Sequence, residues 1–523
     1  MKAFAERYAY PVWIALVVAL ALLHAVHLTA DFPNHSPWPD WAKYTDEGWY
    51  ANAAIRAHLR GHWYEPGGFN PAVAVPLWPS LLWLLFGLTG VSLVAARGLA
   101  VALFLLNLLL VYGLVCRRAP RWAALLAVTL LAGSPFLYAF SRLALLEPLL
   151  MTLALLALRL ALDLSTARRF LAKAALVGLL FAAMVLAKTT AVMLLPALLW
   201  ALAFPLRHQP ARLLRALAAA VVTAVAILGL WAAALVHLHL LRDLTYFFFI
   251  NSYPKPHNFT AHLLSLWWAV DRCLWVDPFL MPLFGLLFLA ALVFCRRRWA
   301  SALLREPLFV ASLLSVAGFL LFMAVQNHTQ PRYYVVVAFF AFPALVQLSV
   351  ALAQEPGIPR LSGELALVCI MIFAALNGVR MLRYVLHPQY TWITAARSLT
   401  AYIDSHPNGR RLLLSISGDE ITLMTGLPAI CDDFGTELPA RRIRSAHPGW
   451  YAAWNDLDPA MLAAIHPYFA LDQVAIFPAL DDPERNRLVL FRLVPLNPSP
   501  YTPRNYEIRS QITFGDHVSV PVE

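Results

Sequence analysis

Two carboxylates stand side by side in the stretch Thr45-Asp46-Glu47-Gly48-Trp49-Tyr50-Ala51-Asn52, which runs on to Gly61-His62-Trp63-Tyr64. A carboxylate within hydrogen-bond reach of a hydroxyl can act as its general base. Asp46 and Tyr50 are spaced i, i+4, so a helix starting here puts both on one face. Glu47 then projects about a quarter-turn away, toward a metal, an arginine or solvent. Further charges of both signs border apolar runs: Arg142 and Glu147 in Ser141-Arg142-Leu143-Ala144-Leu145-Leu146-Glu147, Lys188 in Leu186-Ala187-Lys188-Thr189-Thr190, and Arg332 in Gln330-Pro331-Arg332-Tyr333-Tyr334. Each has a plainer reading. Asp46 and Glu47 could be a solvated loop pair, and Glu147, directly before Pro148, could only complement a helix N-terminus. Lys188 and Arg332 could be headgroup anchors.

The elements that must position these residues are set by composition. Of 523 residues 61% are hydrophobic and only 13% charged, with a mean hydropathy of +0.65. Too few polar residues remain to cover a soluble globule. A spanning helix needs about 20 mostly apolar residues, and the chain supplies such runs repeatedly. The net charge of +11 therefore reads as basic anchoring of cytoplasmic loops, with no nucleic-acid partner. Only five of the 40 basic residues are lysines, which tilts Lys188 from anchoring toward chemistry. Five cysteines show neither CxxC nor metal-ligand spacing, so no disulfide framework or zinc site is indicated. Cys273 and Cys431 would share the outer compartment.

Eleven spans follow from the length rule, at approximately 11–30, 91–115, 122–140, 148–164, 170–187, 190–206, 214–236, 276–295, 307–326, 333–353 and 363–380. The first is read as a retained anchor with the N-terminus inside. Residues 31–72 form the first outer loop, in which Asn52 to Leu59 reads as a short interfacial helix flanked by Trp49, Tyr50, Trp63 and Tyr64. The apolar segment 71–90 is long enough to span. Counting it, however, would place Arg117, Arg118 and Arg121 outside and invert the basic loops that follow. If it dips or lies along the membrane, those residues join Arg168/Arg169/Lys173, Arg207/Arg212/Arg215 and Arg296/Arg297/Arg298/Arg305 on one side, as positive-inside bias requires. Leu238 to Trp275 is then a long outer loop whose aromatic runs suggest a second interfacial segment.

Composition changes near Tyr390. The expected organisation is a transmembrane domain over 1–385, a soluble α/β extracytoplasmic domain over 386–500, and an extended tail over 501–523. In the second domain Thr391 to Ser405 and Asp419 to Thr425 read as helices. Arg411 to Ile416, Trp450 to Trp454, Val474 to Phe477 and Arg487 to Leu493 read as strands.

The loop motif Asp46-Glu47-x-x-Tyr50, set just after the first span, resembles the first outer loop of the GT-C class of membrane glycosyltransferases. The likeness is to the protein O-mannosyltransferases and the aminoarabinose transferase of lipid A (glycosyltransferase family 39-like). It covers roughly residues 10–350. Arg142 to Glu147 resembles the family's second acidic motif, with Glu147 where many relatives carry Asp. Leu186-Ala187-Lys188 resembles Thr-Lys-Gly, Arg332-Tyr333 resembles the Arg-Tyr before a late span, and Gly87 to Arg97 resembles the Gly…Arg after the first loop. One feature departs: relatives often carry Lys-Pro-Pro at the end of the loop, where this chain has Asn70-Pro71 and then Val75-Pro76.

The resemblance implies an α-helical polytopic GT-C-like fold and a hexosyl- or pentosyl-type glycosyltransferase using a polyprenyl-phosphate sugar. Asp46 takes the catalytic position. Glu47, Tyr50, Arg142, Glu147, Lys188, Arg332 and Tyr333 are expected to bind substrate, Lys188 and Arg332 holding the carrier phosphate. No cofactor is assigned with certainty, and a divalent metal is left open. The expected partners are the lipid-linked donor, membrane lipid and an acceptor of protein, lipid or glycan nature. The expected location is a bacterial plasma (inner) membrane, with the catalytic face and C-terminal domain outside. The rivals are a transporter or flippase of a lipid-linked or anionic substrate, an O-antigen ligase or polymerase, and a sensor built on the outer domain. A transporter wants ionisable or broken helices at the bilayer midplane; Arg159 and His237 lie near span ends instead.

The expected topology is testable by single-cysteine labelling. Positions 118, 169, 212 and 297 should label from the cytoplasm, and positions 46, 188 and 420 from outside. Labelling of 297 from outside, or of 420 from inside, would overturn the drawing.

Overall fold

The structure, a computed structural model, describes residues 2–165, 168–250, 255–294, 306–326, 329–355 and 357–496. The arginines at 296–298 and 305 and the tail 501–523 lie outside the described residues. Two compact units emerge: Met1–Glu65 with Asn70–Ile393, and Pro66–Phe69 with Thr394–Glu523.

The first unit is helical. Its elements are α1 (Lys2–Leu23), α2 (Asp46–Arg60), α3 (Leu77–Thr89), α4 (Leu93–Val115), α5 (Arg121–Ala132), α6 (Pro135–Ser141), α7 (Glu147–Leu162), α8 (Phe170–Ala187), α9 (Leu195–Ala203), α10 (Pro210–His237), α11 (Leu241–Thr245), α12 (Phe259–Asp271), α13 (Leu280–Phe294), α14 (Pro307–Gln326), α15 (Tyr334–Ala353) and α16 (Ile358–Leu386). Among the described residues seven helices are long and apolar enough to cross a membrane, and nine if each of two bent pairs counts as one. The chain is an integral membrane protein.

The sequence-derived spans differ from the structure where local chemistry interrupts an apolar run. The first helix ends at Leu23, not 30. The segment 122–140 is two helices bent by 63°, because Gly133-Ser134-Pro135 writes a new N-terminus into it: the Ser134 hydroxyl accepts from the Leu137 amide at 3.2 Å and Pro135 opens the next helix. The loop 238–275 contains α12, which with the following apolar helix forms a pair bent by 120°. The loop helix α2 begins at Asp46, six residues ahead of the expected Asn52, and stops at Gly61 with φ 75°. The 13 residues of α3 rise about 20 Å, short of the roughly 30 Å hydrocarbon core.

Burial sorts the helices by neighbour. Nearly all of α15 is enclosed by the other helices. By contrast α10 leaves Leu214, Val222, Val225 and Leu230 largely exposed, a face that suits lipid tails and no aqueous surface. Small residues set the closest approaches. A Cβ on Gly178 of α8 would stand 2.0 Å from the carbonyl oxygen of Ala220 in α10, and one on Gly318 of α14 2.3 Å from that of Met193. Such small-residue contacts let helix backbones approach where no hydrophobic drive exists between helices and lipid.

The second unit is α/β. After α17 (Thr391–Ser405) come β1 (Arg410–Leu414), α18 (Gly418–Thr425), β2 (Ala429–Ile430), α19 (Pro439–Ala446), β3 (Pro448–Trp454), α20 (Pro459–Ile465), β4 (Phe469–Pro478) and β5 (Arg487–Pro495). The sheet order is β2-β1-β3-β5-β4; β1 runs parallel to β2 and β3, while β5 is antiparallel to β3 and β4. The fully buried β3 is central and covered on both faces. Pro66–Phe69 belong to this unit through the Glu437 amide, which donates to the Gly67 carbonyl at 3.0 Å, and through Phe69 against Phe434. Cys273 and Cys431 are both free thiols.

The close crossing yields a stability prediction. Gly178→Ala should lower the unfolding midpoint in detergent by the equivalent of about 1–3 kcal/mol, the usual cost of overpacking. Gly98→Ala, which meets nothing within 4 Å, should not lower it.

Candidate active site

The first loop folds back on itself before α2 begins. The Asp40 carboxylate accepts from the Ala42 amide at 2.9 Å, capping the single turn Trp41–Lys43. The Thr45 hydroxyl donates to the Trp41 carbonyl at 2.9 Å and reaches Asp46 Oδ1 at 3.1 Å. These bonds fix where α2 starts, and so the direction of its first two carboxylates.

Those carboxylates diverge. Glu47 is fully buried and takes the Arg97 fork through Nε at 2.8 Å and Nη2 at 2.5 Å, plus the Ala144 amide at 2.7 Å. The remaining nitrogen, Arg97 Nη1, donates to the carbonyls of Leu28 and Ala30, both at 2.7 Å. One ion pair therefore ties α2 to α4, to the segment that follows the first helix and to the strap before α7. Of the three destinations open to Glu47 in the sequence, the structure selects an arginine.

Asp46 faces the other way, with Oδ2 3.2 Å from Arg332 Nη2. Arg332 is shared: its Nη1 pairs with Asp40 Oδ1, and its backbone amide donates to Asp40 Oδ2 at 2.9 Å. It stands in the short turn Pro331–Tyr333 that opens α15. Beside it Lys188, extended at the end of α8, places Nζ 2.5 Å from Glu147 Oε1 in the first turn of α7. Both cations stand over the Tyr333 ring, its centroid 4.5 Å from Lys188 Nζ and 5.4 Å from the Arg332 guanidinium. Tyr50, one turn along α2 from Asp46, completes the group.

All of the charged members are buried. Asp46 Oδ2, Glu147 Oε2 and Arg332 Nε have no hydrogen-bond partner, so the cluster keeps unused polar capacity. Burial pushes the Asp46 carboxyl above its ordinary range; Arg332 opposes this and Asp40 adds to it. Burial, and then Asp46, push the Tyr50 hydroxyl well above its usual range, which keeps it a neutral donor.

Asp46, Tyr50, Glu147, Lys188, Arg332 and Tyr333, all singled out from sequence, thus come together. Glu47 does not join them, being consumed by Arg97. Arg142 also lies apart, donating to the Tyr138 hydroxyl at 2.8 Å and to the His27 carbonyl. Asp40 was missed: in Ser36-Pro37-Trp38-Pro39-Asp40-Trp41 it reads as a loop polar residue, and its partner stands 292 positions away. Among the described residues no three His, Cys, Asp or Glu side chains group as metal ligands.

With this geometry in hand, the comparisons with known proteins are specific. Residues 71–235 match the family described as dolichyl-phosphate-mannose-protein mannosyltransferase. No curated protein sequence matches the chain. The fold is similar to that of ArnT from Cupriavidus metallidurans in the apo state, at 14% identity and a TM-score of 0.60, covering 92% of this chain and 98% of that one. The same ArnT bound to undecaprenyl phosphate aligns at 15% identity and a TM-score of 0.60, covering 92% and 97%. The archaeal oligosaccharyltransferase AglB from Archaeoglobus fulgidus aligns at 12% identity and a TM-score of 0.48, covering 93% and 74%. The chain has an ArnT-like GT-C fold with a small strand-containing C-terminal domain, and its resemblance to GT-C glycosyltransferases rests on both the matched family and that fold.

The Glu47–Arg97 staple predicts a division of labour. Glu47→Gln should cost about 3–5 kcal/mol of stability, because it leaves a guanidinium buried without its counter-charge. The double variant Glu47→Leu/Arg97→Met should recover much of the loss in thermal unfolding. A Glu47→Gln protein as stable as the parent would show that the pair does not hold the loop.

Proposed function

We propose that the chain transfers a sugar from a polyprenyl-phosphate carrier to an acceptor hydroxyl on the outer face of a bacterial plasma membrane, with Asp46 as general base. The observation that carries this reading is the buried meeting of one carboxylate with unused hydrogen-bonding capacity, Asp46, and two cations, Arg332 and Lys188, around the Tyr333 ring. A hexosyl or pentosyl group fits the proposal equally, and the acceptor is defined only as a hydroxyl.

A polyprenyl phosphate is a good leaving group, so its bond to the anomeric carbon breaks without a strong acid. The acceptor oxygen forms the new bond to that carbon as the carbon–oxygen bond to phosphate breaks, and the hydroxyl proton passes to the Asp46 carboxylate. Attack opposite the phosphate inverts the anomeric carbon. Negative charge then grows on the phosphate, where Arg332 and Lys188 stabilise it in a site shielded from water. Tyr50, held neutral, donates a hydrogen bond into the same space. Lys188 must exchange Glu147 for the phosphate as the donor enters. What supports this reading is the ArnT-like fold, the matched family and the mixed charge of the cluster.

Asp46→Asn keeps size and removes the base. Single-turnover transfer should fall by about 10²–10⁴-fold while donor binding, measured in parallel, stays near the parent value. Lys188→Ala should do the reverse, weakening donor binding first. Because the base must be ionised and its pKa is raised, transfer should be lost as pH falls through a value above the usual carboxylate range. Transfer by Asp46→Asn within a few-fold of the parent would move the role to Glu147.

A further inference from the structure

Arg142 lines an opening of the helical unit away from the Asp46 cluster. A cavity of about 240 Å³ is lined by Asn34, His35, Arg142, Arg383, Tyr384 and His387, with Asp31 also on its wall. A cavity of this size has room for a tetrahedral anion and waters around it.

Its charge is one-sided. Arg142 is buried, and its terminal nitrogens are bonded only to the neutral Tyr138 hydroxyl and His27 carbonyl, while its Nε has no hydrogen-bond partner. The two carboxylates nearby are engaged elsewhere. Glu47 holds Arg97. Asp31 accepts from the Thr391 amide at 2.8 Å, the Thr391 hydroxyl at 2.7 Å and the Trp392 amide at 3.0 Å. Arg383 is exposed and, among the described residues, is in no ion pair. A guanidinium withdrawn from water costs several kcal/mol unless an anion meets it.

Two guanidinium groups facing one small space suit the three oxygens of a phosphate monoester better than the two of a carboxylate. Next in sequence to the lining residues Arg383 and His387, Leu382 and Leu386 are exposed, apolar surface of the kind lipid chains cover. We propose that this cavity is a phosphate-binding site distinct from the Asp46 cluster, filled by a phosphate monoester from a lipid headgroup or from a soluble compound. The proposal does not rest on the transfer reaction. Its wall at Ala30 is nonetheless held by Arg97, the residue that also holds the neighbour of Asp46.

The test uses the full chain in phosphatidylcholine nanodiscs, titrated in one arm with inorganic phosphate and in the other carrying phosphatidic acid. Binding is read by calorimetry for the former and by retention of labelled lipid for the latter. Because Lys188 and Arg332 also attract phosphate, Lys188→Gln is titrated alongside the parent. Arg383→Gln, at an exposed position, should weaken binding about tenfold, the worth of one charge-assisted hydrogen bond, and Arg383→Lys should restore part of it. Lys188→Gln should retain the signal. Saturation by inorganic phosphate assigns a soluble source, and saturation by phosphatidic acid alone assigns a lipid. Parent protein that binds neither, or binding lost in Lys188→Gln and unchanged in Arg383→Gln, overturns the proposal.

Discussion

Charge removed from water must find a partner, and that requirement fixes the geometry of this loop. Glu47 and Asp46 are neighbours, yet a helix turns consecutive side chains by about 100°. One enters the protein toward Arg97 and the other toward Arg332. The Glu47–Arg97 pair immobilises the start of α2 against three other segments, and only then does Asp46 have a defined direction. Remove that constraint and the second carboxylate is a side chain on a loop; with it, Asp46 is a fixed group beside two cations.

Much of this was legible in the sequence, for physical reasons that can be named. The i, i+4 spacing of Asp46 and Tyr50 declared a shared face, and Lys188 and Arg332 stood out as charges at the ends of apolar runs. Glu147 was ambiguous between helix start and site, and it serves both positions. The pairing of Arg332 with Asp40 was not legible, because a contact across 292 residues leaves no trace in local spacing. Nor was the separation of Arg142 from Glu147: five residues apart in sequence, they flank a strap that turns Glu147 toward Lys188 and Arg142 toward Tyr138 and His27.

The helices show the same division. Hydropathy located the apolar runs but not the bends within them, since Ser134-Pro135 changes direction without changing polarity. The sheet of the second unit was read from its longer strands, whereas β2, with two residues, carries no pattern to detect. Exposed faces, as on α10, are invisible to a hydropathy count that treats all sides of a helix alike.

The ion pairs around Tyr333 have a kinetic consequence. Glu147 and the two aspartates already satisfy the cations that a carrier phosphate would use, so any phosphate entering must outcompete carboxylates that never diffuse away. On the proposed chemistry this lowers the affinity for the spent carrier as well as for the loaded one. When the lipid departs, Lys188 and Arg332 close back onto waiting counter-charges instead of an empty low-dielectric space. On that proposed chemistry the built-in carboxylates would shorten the residence time of the spent lipid and oppose product inhibition.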